Sequence, residues 1–156
     1  MKVLFIEDHP LKQAQIKKFL QEEFPYFIVE FRNSYISGLK ELINNYSVYE
    51  CLLLDISMPN YDISSEDSGG DWMPMAGKKI LKEMFLRDIT TKAIVITMHG
   101  SFEDGTKITD LDIELNEEFS DNYIGLVYYS QINEEWKVKL KELLNKLIDD
   151  KNSSYR

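Results

Sequence analysis

Five short runs along the chain are apolar on both faces of an extended backbone: KVLFI (2–6), YFIVEF (26–31), CLLLD (51–55), KAIVIT (92–97) and YIGLVYY (123–129). Such continuity suits strands covered on both sides, the condition of a parallel sheet. Amphipathic stretches separate them. Residues 10–23 open with Pro10, well placed in a first helical turn, and carry Leu11, Ile16, Phe19 and Leu20 as their apolar side. Residues 34–46 place Ile36, Leu39 and Ile43 at helical spacing, and residues 78–87 group Ile80, Leu81, Met84 and Phe85. Residues 134–149 show a broad stripe of Trp136, Leu140, Leu143, Leu144, Leu147 and Ile148. The alternation predicts an α/β fold, a doubly wound five-stranded parallel sheet with helices on both faces. Only 101–122 resists this reading. Its DLDIEL alternates with a strand period and Gly105 weakens a helix, so a short or irregular helix with a strand-like piece is expected there.

The length of 156 residues suits one domain, placed at 1–150, with KNSSYR (151–156) as a flexible tail. A net charge of −9 argues against a nucleic-acid partner, because the lysines of 137–151 alternate with acids instead of clustering. The single cysteine, Cys51, lies in an apolar run and reads as a small buried thiol. No run approaches the ~20 apolar residues of a membrane span. The opening MKVLFIEDHP is too short in apolar residues for a signal sequence, so a cytoplasmic protein is expected.

Ligands of open α/β sheets bind at the carboxyl ends of the strands. Strand one finishes in Glu7 and Asp8, strand three in Asp55 and strand four in Thr97. Acids often follow strands merely as helix caps, but three strand ends converging changes that reading. Three carboxylates together repel one another without a cation, and an all-oxygen ligand set favours Mg²⁺. His9 and His99 also follow strand ends and could add nitrogen ligands, although solvent-facing loop positions, with His9 near a helix cap, account for them.

VLFIEDHP, LLLDISMP and IVIT resemble the receiver domain of bacterial two-component response regulators, over most of the chain. The resemblance implies a flavodoxin-like fold of strand order 2-1-3-4-5. It implies that Glu7 and Asp8 hold Mg²⁺ together with Asp55 and the backbone carbonyl of Ser57. Asp55 would accept a phosphoryl group, Thr97 would hydrogen-bond it, and Met58-Pro59 would form the turn after it. A carboxylate can attack phosphorus once a cation neutralises it and the incoming oxygens, so the chemistry is coherent.

Two departures stand out. The family carries a lysine and then a proline at the end of strand five, where this chain reads GLVYYSQINEEW: Tyr129 takes the lysine position, with a doubtful role, and Ser130 the proline position. Lys137 is the nearest lysine in sequence, and the family's aromatic switch position falls near Leu126. The second departure is a long insertion at about 60–76, before the expected helix-starting Gly77. It holds Asp62, Glu66, Asp67, Asp71, Gly69-Gly70 and Trp72, and exceeds the roughly 2–6 residues of such connections. A lid, a partner-binding loop and neutral decoration all fit it, with Trp72 expected to pack down as the loop's anchor.

The expected function is that of a stand-alone receiver in phosphorelay signalling, phosphorylated on Asp55 by a histidine kinase or phosphotransfer protein, with Mg²⁺. Output would pass to a downstream protein by contact, through the face of 101–149, the insertion, or both. Such a protein is no enzyme beyond self-directed phosphotransfer and autodephosphorylation. The alternative is a pseudo-receiver, a constitutive interaction module that is never phosphorylated. A hydrolase of the haloacid dehalogenase type is a third option, but it wants a second Asp where Ser57 stands.

Overall fold

The computed structural model describes residues 1–156. In chain order the elements are β1 (Lys2–Ile6), α1 (Pro10–Glu23), β2 (Ile28–Arg32), α2 (Tyr35–Asn45), β3 (Cys51–Leu54), β4 (Met58–Pro59) and β5 (Trp72–Met73). They continue with α3 (Ala76–Leu86), β6 (Lys92–Thr97), α4 (Ile108–Glu118), β7 (Tyr123–Tyr128) and α5 (Glu135–Ser154). Five strands form one parallel sheet in the order β2-β1-β3-β6-β7, the predicted 2-1-3-4-5 when the sheet strands alone are counted. β4 and β5 pair antiparallel as a separate two-stranded ribbon.

Alternation along the strands divides the core into two layers. Leu4, Ile6, Leu52, Leu54, Ala93 and Val95 pack with Leu42 of α2, Ile80 and Met84 of α3, and Leu111 and Leu115 of α4. Their neighbours Val3, Phe5, Cys51, Leu53, Ile94 and Ile96 pack with Ile16 and Phe19 of α1 and Trp136 and Leu140 of α5. Both faces are therefore covered, which explains why the strands are apolar throughout. Cys51 is one of these side chains, a free buried thiol whose pKa burial pushes up to about 12.

Local rules account for the helix ends near the site. His9 caps α1, its Nδ1 accepting the Lys12 N–H at 3.3 Å, and Pro10 occupies the first turn. Ser34 caps α2 by accepting the Ser37 N–H at 3.2 Å.

Three expectations about the helices are corrected. Residues 108–118 form a regular helix, because Leu111, Leu115 and the following Phe119 recur every four residues and are all buried, while Ile113 faces solvent. The strand-like alternation of DLDIEL is incidental to that stripe. The tail is not a loose end either: α5 runs through Ser154, with the Ser153 and Ser154 hydroxyls donating to the Asp149 and Asp150 carbonyls at 2.9 Å and Lys151 paired with Glu50. In α1, Leu11 is 46% exposed and Lys12, beside it, is completely buried.

The insertion is a ribbon with a defined base. Asn60 N–H donates to the Asp71 carbonyl at 3.1 Å, and Tyr61 N–H to that of Gly69 at 2.8 Å. Gly69 and Gly70 adopt φ of 92° and 68°, a region that favours glycine. Asp62 ties the ribbon to α2, accepting the Ser34 and Ser37 hydroxyls at 2.7 and 2.8 Å, while the Ile36 N–H donates to the Asn60 carbonyl at 3.0 Å. Trp72 is 51% exposed, so it is not the buried anchor that was expected; hydrogen bonds do that work.

Gly77 is required by close approach. A Cβ there would lie 2.4 Å from the Asp55 carbonyl oxygen and 3.0 Å from Ile56 Cα, and its N–H donates to the Ile56 carbonyl at 2.9 Å. Gly77→Ala is expected to cost about 1–3 kcal/mol by forcing backbone from backbone. Urea unfolding measures it, and an unchanged midpoint would show that α3 can move aside without loss.

Candidate functional site

Sheet register assembles the site. Ile6 pairs with Leu54, so the next step sets Glu7 beside Asp55, whose N–H donates to the Ile6 carbonyl at 3.1 Å. Leu54 also pairs with Val95, which brings Ile96 and then Thr97 to the same edge. One carboxylate oxygen from each of Glu7, Asp8 and Asp55 falls within 4.8 Å of the others. Glu7 and Asp55 are buried and Asp8 is half-buried at the rim.

The two oxygens of Asp55 differ. Oδ1 accepts the Ile56 N–H at 2.7 Å, whereas Oδ2 has no backbone donor and lies 3.3 Å from Lys12 Nζ. Glu7 Oε1 accepts the His9 N–H at 3.0 Å. Glu7 Oε2 is 2.5 Å from Lys12 Nζ but has no aligned hydrogen-bond partner, so the contact is an ion pair that leaves acceptor capacity unused. The Lys12 ammonium donates to the Ile96 carbonyl at 2.7 Å.

Lys12 was missing from the site read in the sequence, although its position was readable. It stands four residues before Ile16 and seven before Phe19, on the buried stripe of α1. Taking Leu11 as the first core residue turned that stripe by one position and hid a buried cation.

Thr97 Oγ1 accepts the His99 N–H at 3.2 Å, which leaves its own O–H free to donate. The Ser57 hydroxyl donates to the Pro74 carbonyl at 2.9 Å and so pins the segment after Asp55 to the end of the ribbon. Tyr129 continues beside Thr97, its N–H on the Thr97 carbonyl at 2.8 Å, but its hydroxyl goes elsewhere. That hydroxyl donates to Gln15 on α1, and the ring lies 5.2 Å from Trp136. The acidic group includes neither histidine and none of the acids of the insertion. His9 serves α1 as its cap, and Asp62 serves α2. Trp72 borders a small cleft of about 110 Å³ with Ser57, Pro74, His99, Ser101, Phe102 and Glu103. A larger cavity, about 550 Å³, involves Glu50, Lys92 and Tyr123 at the opposite ends of the strands, away from the carboxylates.

The donor set fits a divalent cation. When all four groups are charged, three carboxylates against one ammonium leave two negative charges. Burial, then the neighbouring Asp55 charge, push Glu7 up to about 8, and the same two causes raise Asp8. Both shifts express a charge deficit that a hard cation with oxygen ligands would remove.

A pH dependence follows. Between its unfolded value near 4.5 and about 8, Glu7 holds a proton in the folded protein that the unfolded chain has released. More protons bound to the folded state means that stability falls as pH rises. In chelator, the melting temperature should therefore decline from pH 5 to pH 8.5, and the stabilisation by Mg²⁺ should grow over the same range. Thermal melts with and without Mg²⁺ test this; a shift independent of pH would sever Glu7 from the cation.

Comparison with known proteins agrees with this arrangement. No family model matches the chain. The uncharacterized protein y4jR of Sinorhizobium fredii is 31% identical over 146 residues, covering 90% of this chain and 95% of that protein. The Detocs response regulatory protein DtcB of Enterobacter cloacae is 26% identical over 151 residues, covering 94% of this chain and 100% of that protein. Among solved structures, a response regulator receiver domain protein from Clostridium thermocellum superposes with a TM-score of 0.65 at 21% identity, covering 97% of this chain and 96% of that one. Fold, strand-end carboxylates and relatives agree: the chain has the fold of response-regulator receiver domains.

Proposed function

We propose that this receiver accepts a phosphoryl group on Asp55 in a Mg²⁺-dependent reaction and passes the signal on by protein contact. The observation that carries the reading is the convergence of Glu7, Asp8 and Asp55 within 4.8 Å at the carboxyl edge of the sheet, with Thr97 on the adjoining strand. Glu7, Asp8 and Asp55, with the Ser57 carbonyl, would hold the cation. Bound there, the cation supplies charge neutralisation for the acids and for phosphoryl oxygens.

The remaining steps belong to the chain. Asp55 Oδ2, free of a backbone donor, attacks phosphorus. The P–N bond to a phosphohistidine of a kinase or phosphotransfer protein breaks, or the P–O bond to acetate in acetyl phosphate. The electron pair leaves with imidazole or acetate, and the imidazole is reprotonated from solvent. Thr97 offers its hydroxyl proton to a phosphoryl oxygen. Attack of water on phosphorus later breaks the P–O bond to Asp55, releasing inorganic phosphate and the free carboxylate. The protein is thus a phosphoacceptor with self-directed chemistry, not an enzyme acting on other substrates.

Output fits the exposed side chains of the ribbon, Tyr61, Ile63 and Trp72, which flank the acceptor through Ser57 and Pro74. Tyr128 and Val138, exposed on β7 and α5, offer a second surface. One observation favours the pseudo-receiver reading instead: the Lys12 ammonium already lies between Glu7 and Asp55 and offsets part of their charge without any metal.

Incubation with acetyl phosphate and Mg²⁺ followed by intact-mass measurement separates the two readings. The wild type should gain one phosphoryl group, and Asp55→Asn or a chelator-treated sample none. A wild type that stays unmodified, beside a control receiver that reacts, would establish the pseudo-receiver.

A further inference from the structure

We infer that Lys12, on α1, is the cation that contacts the phosphoryl group on Asp55, and that α1 therefore registers phosphorylation. The inference rests on the proposed reading that Asp55 is the acceptor.

The two oxygens of Asp55 have different partners. Oδ1 is held by the Ile56 N–H, so the attacking oxygen is Oδ2, and its charged neighbour is Lys12 Nζ at 3.3 Å. A phosphoryl group bonded there sets its oxygens beside that ammonium. Lys12 is also fully buried, which gives its charge more weight than an exposed lysine has. An ammonium has three N–H groups. The Ile96 carbonyl accepts one of them at 2.7 Å, Glu7 forms a close ion pair at 2.5 Å without an aligned hydrogen bond, and the longer Asp55 contact is left to tighten as negative charge accumulates.

Tyr129 cannot take this role, since its hydroxyl donates to Gln15 and it carries no charge at neutral pH; burial, then the Glu7 charge, raise its pKa further. That same bond carries the readout. Gln15 lies one turn beyond Lys12 on α1, and the Tyr129 ring packs on Trp136 of α5. A pull on Lys12 acts on α1 and, through Gln15 and Tyr129, on the start of α5.

The test compares wild type, Lys12→Met and Lys12→Arg for Mg²⁺ affinity by calorimetry and for phosphorylation rate by intact mass with acetyl phosphate. Loss of a donor to the transferring group is expected to slow Lys12→Met on the order of 100-fold. Its Mg²⁺ affinity should rise, because a positive charge has left the cluster. Lys12→Arg should recover part of the rate. A lysine that only stabilised the fold would not separate rate from metal affinity in this way. Equal rates in wild type and Lys12→Met overturn the inference while leaving Asp55 as acceptor; no adduct in wild type overturns both.

A second measurement needs no variant that might fail to fold. In wild type with Mg²⁺ and beryllofluoride, a bound ¹⁹F signal reports occupation of Asp55, and a Overhauser effect from it to the Lys12 ammonium protons reports the contact. A bound ¹⁹F signal without that effect removes Lys12 from the site. No bound ¹⁹F signal removes the acceptor reading together with it.

Discussion

A buried ion cluster at the carboxyl edge of the sheet is the constraint around which this fold is organised. Glu7 and Asp55 are forced together by the pairing of β1 with β3, and neither can turn to water. Isolated buried carboxylates are costly, so an arrangement of this kind demands a counter-charge. Lys12 supplies part of it and accordingly becomes one of the largest fully buried side chains. Counting Asp8 at the rim, two negative charges remain once all three acids are ionised, and that excess makes the site receptive to a divalent cation. Structural and functional demands therefore meet in one salt-bridged group.

The same cluster explains how neighbouring segments are arranged. The first turn of α1 is fixed at both ends, by His9 capping the helix and by Lys12 reaching the Ile96 carbonyl. The segment after Asp55 is held by Gly77, which lets α3 start against the Asp55 carbonyl, and by Ser57, which bonds Pro74. The inserted ribbon leaves from that pinned segment. Asp62 is spent on the serines of α2, so one acid of the ribbon has a structural duty. Exposure of Tyr61, Ile63 and Trp72 is what this leaves: a ribbon secured by polar bonds at its base and presenting apolar side chains outward.

Much of this was legible in the residues because each piece rests on a local rule. Continuously apolar runs are strands buried on both sides, and acids at their ends must lie at one edge of a parallel sheet. Glu7, Asp8 and Asp55 were therefore placed from the residues alone, and Gly77 from the resemblance to receivers. The misreadings share a cause. DLDIEL can be written on a strand or a helix, and only Leu111, Leu115 and Phe119 meeting the core decides between them. Leu11 and Lys12 are adjacent, and hydrophobicity favoured the wrong one because the partners that make a buried lysine tolerable lie on other strands.

Sequence by itself determined the five strands of the main sheet, the alternation with helices and the acids that converge, since periodicity and strand-end placement are properties of a chain read in order. Tertiary structure decided where the charges are balanced. The Lys12 ammonium is met by Glu7 from β1's end, Asp55 from β3's end and Ile96 from β6, partners up to 84 residues away. Tyr129 is turned from the cluster by Gln15 and Trp136 in the same way. Such contacts depend on distances through space, and no spacing along the chain encodes them.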